Sequence, residues 1–254
     1  MITGGERLRG IESRAVPRSE LLMAQLLSLT GLRGAWGMAA FDGAGNAQDQ
    51  SGHGHHLGYN GNPTYNYANL APYITFDGVG DYLARADEAD LDILGTESYV
   101  AAGARGLTMG GWFYFGNAAA AIETCMGKWN AAANMAYRIY RSAAGLGVFE
   151  VSITGAAAVQ VTGPAIAQGV WVWLAGRFVP SVSLDLWVNG TLTSVVAGVP
   201  ASIFNSNADF RIGANGAGTE LLTGRSSMCF LCAGALSSQN PSAIYQQGRP
   251  LFGV

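Results

Sequence analysis

The chain has 254 residues, 49% of them hydrophobic and only 12% charged, with 14 basic and 17 acidic side chains. The apolar content excludes a disordered chain, the near-balanced charge excludes a face basic enough to hold nucleic acid, and no apolar run approaches the ~18 residues that span a bilayer. The 36 glycines have no three-residue period, which excludes collagen.

The N-terminus does not read as a secretion signal, because Glu6, Glu12 and Glu20 interrupt the apolar run that such a signal needs. Two short helices fit better. Thr3 and Glu6 make a Thr-x-x-Glu capping box opening a segment through Arg14, and Pro17 with Ser19 precedes a second helix over residues 20–29, stopped at Gly31. Leu21, Leu22, Met23, Leu26, Leu27 and Leu29 cover most of this second helix and leave a narrow polar arc near Glu20, Gln25 and Ser28. A helix so apolar has to be covered. Either it packs on its own domain or it is an assembly arm that docks on a neighbouring subunit or larger particle.

From Trp36 onward the texture changes to short alternating runs separated by Gly, Asn, Asp and Pro, the pattern of an all-β sandwich. His53, His55 and His56 fall within four residues and read as exposed loop residues. The segment from Tyr59 to Asn69 is the richest in rings and amides. Tyr59, Tyr65 and Tyr67 could stack on sugar C–H faces while Asn60, Asn62 and Asn66 bond hydroxyls, yet the same residues suit a subunit interface or a plain surface turn. Strands are expected at residues 71–76, 107–115 and 148–154, the last with Val148, Glu150 and Ser152 opposite Phe149, Val151 and Ile153 and one face buried. Asn189-Gly190 between alternating runs is a hairpin signal, since a type I′ turn needs positive φ at both central residues. Cys229 and Cys232 sit in an apolar run where positions three apart point to opposite faces, so with Cys125 they read as core residues rather than a metal or redox pair. A short helix is expected over residues 240–247.

Five segments in order resemble one family, the laminin-G-like, concanavalin A-like jelly rolls. They are Asp49-Gln50-Ser51-Gly52-His53-Gly54, Phe76 to Tyr82, Leu107 to Phe115, Trp171 through Asn189-Gly190, and Ala235-Leu236-Ser237-Ser238 leading to Ile244-Tyr245. The resemblance implies two packed antiparallel sheets and a binding or adhesive role. The expected architecture is therefore an N-terminal helical arm over residues 1–33 and a laminin-G-like jelly-roll domain over 34–254 with a short C-terminal helix. Some relatives bind calcium at the sandwich rim, for which Asp49, Asp77 and Asp81 are the candidates here; the alternative for all three is turn chemistry. Where relatives often carry acidic residues late in the fold, this chain reads Leu222-Thr223-Gly224-Arg225.

No Glu-x-Asp-x-Glu string, Gly-x-Ser-x-Gly elbow, phosphate loop or dinucleotide fingerprint is present, and Glu150 and Asp185 stand alone in their segments. A glycoside hydrolase is the remote alternative. The expected function is a non-enzymatic structural or adhesive protein, of the kind found as phage virion components, with homo-oligomer, capsid or tail partners. The competing expectation is a carbohydrate-binding module, extracellular or at a cell surface, that recognises surface glycans.

Overall fold

The computed structural model describes residues 17–66, 71–131 and 133–254. The helix expected between Thr3 and Arg14, and Tyr67, lie outside the described residues. Helix α1 (Arg18–Leu27) is followed by β1 (Leu32–Trp36), β2 (Gly58–Asn60), β3 (Thr64–Asn66), β4 (Tyr73–Asp77) and β5 (Tyr82–Arg85). After two 3₁₀ turns come β6 (Leu107–Phe115), β7 (Glu123–Asn130), β8 (Asn134–Arg141), β9 (Leu146–Ser152) and β10 (Ala158–Ala165). The series ends with β11 (Trp171–Val179), β12 (Ser183–Val188), β13 (Thr191–Val195), β14 (Phe210–Ile212), β15 (Thr223–Cys232) and α2 (Gln239–Phe252). Among the described residues no helix is long and apolar enough to cross a membrane.

These strands form two antiparallel sheets. The first runs β13-β12-β11-β6-β15-β4-β3, with β1 beside the second half of β15; the other runs β10-β9-β8-β7-β14-β5-β2. Strand β15 can serve two neighbours because it is bulged: residues 223–226 pair with β4 and 229–232 with β1, and Met228 between them turns at φ 49°. The β12–β13 hairpin has Asn189 at φ 49° and Gly190 at φ 80°, the positive pair that its Asn-Gly dipeptide predicts.

Period-two alternation divides the apolar residues between two cores. Between the sheets lie Ile74, Phe76, Phe113, Phe115, Phe149, Leu174 and Leu186 with many others. On the outer face of the first sheet a second cluster gathers Trp112, Trp173, Trp187, Phe230 and Cys232 beneath α1 and α2. Cys229 points to the inner core and Cys232 to the outer cluster, as their spacing requires.

One open alternative is decided and two sequence expectations change. Leu22, Met23, Leu26 and Leu29 are buried against the chain's own first sheet, so these positions of the arm dock in cis; Leu21 and Leu27 remain 47% and 43% exposed. The C-terminal helix runs past residue 247 because Gly248 is not a stop. Its missing side chain lets α2 lie on the Trp112 indole, where a Cβ would come within 2.6 Å of a ring carbon, and the helix ends at Gly253, φ 72°. Strand β9 is covered on both faces, Val148, Glu150 and Ser152 included. Glu150 tolerates this because it meets the Arg138 guanidinium at 2.5 Å.

Candidate functional site

A cavity of about 570 Å³ lies at one end of the first sheet, within the size range of small-ligand sites. Its walls are small residues and backbone: Gly31, Ala101, Ala104, Ala233, Gly234 and Ala235. Three segments meet there and are tied by hydrogen bonds, from Ala233 N–H to the Gly31 carbonyl at 2.7 Å and from Ala235 N–H to the Ala104 carbonyl at 2.9 Å. Thr108 from β6 braces the same wall, donating to the Gly234 carbonyl at 2.8 Å and accepting from Leu236 N–H at 3.0 Å. Gly31 has φ 73° and a Cβ there would strike the Ala233 carbonyl, so only glycine closes this corner. The groove is thus pre-formed.

Tyr99 stands at its mouth, 59% exposed, with the Arg33 guanidinium 4.5 Å from the ring centroid. Thr30, Ser237 and Asn240 supply hydroxyl and amide groups along the lining. Arg33 is in turn held by Asp90, whose carboxylate lies 3.5 Å from its Nε. Asp90 also reaches His53 Nδ1 at 3.1 Å, and His55 Nε2 sits 3.5 Å from Glu88 and 3.6 Å from Asp90. The two imidazoles stack at 5.8 Å. The expectation of three exposed histidines therefore fails for His55, which is buried with Nδ1 2.7 Å from the Arg33 carbonyl.

The residues singled out in the sequence fall elsewhere. Asp49 is buried, and its carboxylate accepts from Ala35 N–H and Ser51 N–H at 2.9 Å, Ser51 Oγ at 2.7 Å and His55 N–H at 3.1 Å. Asp81 accepts from Asn62 N–H at 2.8 Å and Asp77 N–H at 3.1 Å, while Asp77 accepts from Val79 N–H at 2.7 Å. All three close turns, and among the described residues no group of three or more His, Cys, Asp or Glu side chains is placed to hold a metal ion. The three calcium candidates do not form such a group, and the turn chemistry given as their alternative is what their hydrogen bonds show.

Tyr59 and Tyr65 lie where the chain crosses from one sheet to the other, and both rings pack against Phe41, with centroids at 5.8 and 4.6 Å. They build the corner instead of a sugar platform. Asn60 and Asn62 stay local to it, whereas Asn66 bonds Thr75 Oγ1 at 3.2 Å on the outer face of the first sheet. Tyr99 escaped sequence reasoning because it is a single aromatic in an Ala- and Gly-rich loop without a motif.

Buried ion pairs account for the strand carboxylates. Arg138 holds both Glu150 and Glu220, the latter also bonded by Thr124 Oγ1 at 3.0 Å, and its guanidinium stacks over Trp129 and Tyr140. Burial pushes the Glu150 carboxyl above its ordinary range and the Tyr140 phenol up to about 12. Asp185 is on the other sheet with Arg177, at 2.7 Å. Burial likewise raises the Cys125, Cys229 and Cys232 thiols, leaving them protonated and unreactive.

The family model Laminin_G_3, of the concanavalin A-like lectin/glucanases superfamily, matches residues 87–239. The chain belongs to this superfamily. Its fold is similar to that of the receptor-binding domain of the botulinum neurotoxin C/D mosaic serotype, at 10% identity and TM-score 0.63, covering 85% of this chain and 51% of that one. The binding domain of Paraclostridial Mosquitocidal Protein 1 gives 11% identity and TM-score 0.64 over 85% of this chain and 52% of that one. The ligand-binding domain of botulinum neurotoxin serotype D, solved in complex with N-acetylneuraminic acid, gives 9% and 0.64 over 89% and 52%. This laminin-G-like chain spans about half the length of the solved chains it matches. At such identities the likeness is one of fold. No curated protein sequence matches it.

Proposed function

We propose that this chain is a non-catalytic adhesive module that binds surface carbohydrate in the groove beneath Tyr99. The observation that carries the reading is the exposed Tyr99 ring beside a pre-formed cavity of about 570 Å³ edged by Thr30, Ser237 and Asn240. A sugar ring has apolar C–H faces and a polar rim, and this site offers a ring for the one and hydroxyl and amide groups for the other. The superfamily is lectin-like, and one solved relative by fold is a complex with a sugar acid, which supports the same reading. A hydrolase needs two carboxylates free to flank a glycosidic bond, whereas Glu150 and Glu220 are both engaged by Arg138.

The test is a glycan array with the full chain beside Tyr99→Ala. The wild type is expected to bind a restricted set of glycans and the variant to lose at least tenfold in affinity for them. Binding unchanged by Tyr99→Ala, or no glycan bound, overturns the reading.

A second reading places the module on a phage virion surface, assembled with copies of itself or with capsid or tail proteins. It is favoured by Leu21 and Leu27, which stay exposed on the outside of α1 after its other leucines are covered. Adhesion and virion placement are compatible, since a virion protein can carry the glycan-binding surface.

A further inference from the structure

The helices cover only part of the first sheet's outer face. At the edge of that cover, where the Trp171 ring meets Phe252 of α2 at 4.9 Å, cross-strand register sets Trp171 opposite Tyr114, Tyr114 opposite Arg225, and Arg225 opposite Thr75, so four side chains form a row over β11, β6, β15 and β4. Residues directly opposite on adjacent strands share a face. All four are partly exposed. Arg225 is flanked by two rings, its guanidinium carbon 4.5 Å from the Tyr114 centroid and 5.0 Å from that of Tyr73. Trp171 stands edge-on to both tyrosines, with centroids at 5.6 and 5.9 Å, and with Tyr73 and Phe252 it lines a cavity of about 310 Å³.

The charge of Arg225 distinguishes this row. Every other arginine on a strand reaches a carboxylate: Arg33 to Asp90, Arg85 to Glu88, Arg138 to Glu150, Arg141 to Glu123, Arg177 to Asp185 and Arg211 to Asp209. Arg225 has no carboxylate and no hydrogen-bond partner among the described residues; its interactions there are the two ring faces. A guanidinium stacked between rings is fixed in orientation and keeps a planar fork of N–H donors, the geometry that takes a carboxylate through two parallel bonds. Across Tyr114 from that fork stands the Trp171 ring, and opposite Arg225 on β4 lies the Thr75 hydroxyl, which accepts from the Asn66 amide at 3.2 Å.

We infer that this row is a second carbohydrate subsite, specific for a sugar acid whose carboxylate is held by Arg225 while its C–H face lies against Trp171. The inference rests on the reading of the chain as a sugar-binding module but uses no residue of the Tyr99 groove. A phosphate or sulfate would also be attracted by the charge. The planar fork and adjoining rings favour the flat carboxylate on an apolar-faced ring.

The test titrates the full chain with oligogalacturonate, oligomannuronate and sialyllactose, each beside its methyl ester, by calorimetry and by tryptophan fluorescence. At least one acid is expected to bind saturably and to perturb the fluorescence, and its ester, which keeps the shape but not the charge, to bind at least tenfold more weakly. Arg225→Gln is expected to lose at least tenfold for the acid. Arg225→Lys, which keeps the charge without the fork, should restore part of it, while Tyr99→Ala leaves acid binding at this site unchanged. Melting curves show which variants fold, and Trp171→Ala serves as the second variant should Arg225→Gln unfold. If no acid binds, if ester and acid bind alike, or if Arg225→Gln keeps wild-type affinity, the subsite is refuted. If acid binding is lost in Tyr99→Ala and kept in Arg225→Gln, the subsite alone is refuted and the groove stands.

Discussion

Glu150 shows how a residue that reads as solvent-facing becomes part of the interior. Alternation set it opposite Phe149 and Val151 and thus towards water, but the strand's second face is also covered and the carboxylate pairs with Arg138 at 2.5 Å. Only the position of Arg138 on the next strand, opposite Glu150 in register, accounts for this, and no single-segment pattern contains it. Burial favours the protonated acid, so the folded state holds its proton to higher pH than the unfolded chain does. In the window above the ordinary value of 4.5 the folded state therefore binds more protons, and the contribution of Glu150 to stability falls as pH rises through it. Denaturation of wild type and Glu150→Gln from acid to neutral pH should show the difference between them shifting in favour of the variant as pH rises. A difference independent of pH, or one moving towards the wild type, contradicts the assignment.

At the level of elements, the strands over residues 71–76, 107–115 and 148–154 and the Asn189-Gly190 hairpin were legible, whereas β7, β8 and β10 and the coverage of the helices were not. Asn189-Gly190 and the Asp49 turn declare themselves because positive φ and side-chain capping impose residue types locally. Helix α1 declares that it must be covered without saying by what; the answer comes from α2 and β1, which bring it into the outer cluster with Trp112, Trp173 and Phe230. The cis packing sets expected costs. Leu22→Ala, which empties a fully buried position, should cost about 2–4 kcal/mol in urea denaturation. Leu27→Ser on the outside should change stability by less than about 0.5 kcal/mol. Should the second reading hold, Leu21→Ser with Leu27→Ser lowers the solution mass from an assembly to a monomer while leaving the melt unchanged. Equal destabilisation by Leu22→Ala and Leu27→Ser would mean that α1 is not seated as described.

At the scale of the whole molecule, the two-sheet antiparallel architecture was readable because alternation and turn chemistry repeat along most of the chain. The candidate sites were not, since each collects residues that a sandwich brings together from distant positions: Arg33, Tyr99 and Asn240 in one, Tyr73, Tyr114, Trp171 and Arg225 in the other. Sequence density drew attention to Tyr59 and Tyr65 instead, whose rings face Phe41.

Lys128 is the chain's single lysine, and it is fully buried between Asp87 and Asp92, at 2.5 Å from the latter. The folded surface among the described residues consequently displays no side-chain amine. An acylating reagent should leave Lys128 unlabelled in the native protein and add an adduct there only as the sandwich opens, which mass spectrometry across a denaturant series would follow. Amine chemistry at Lys128 thus reports unfolding in this molecule, and anchoring it to a sensor through that lysine would select the denatured fraction.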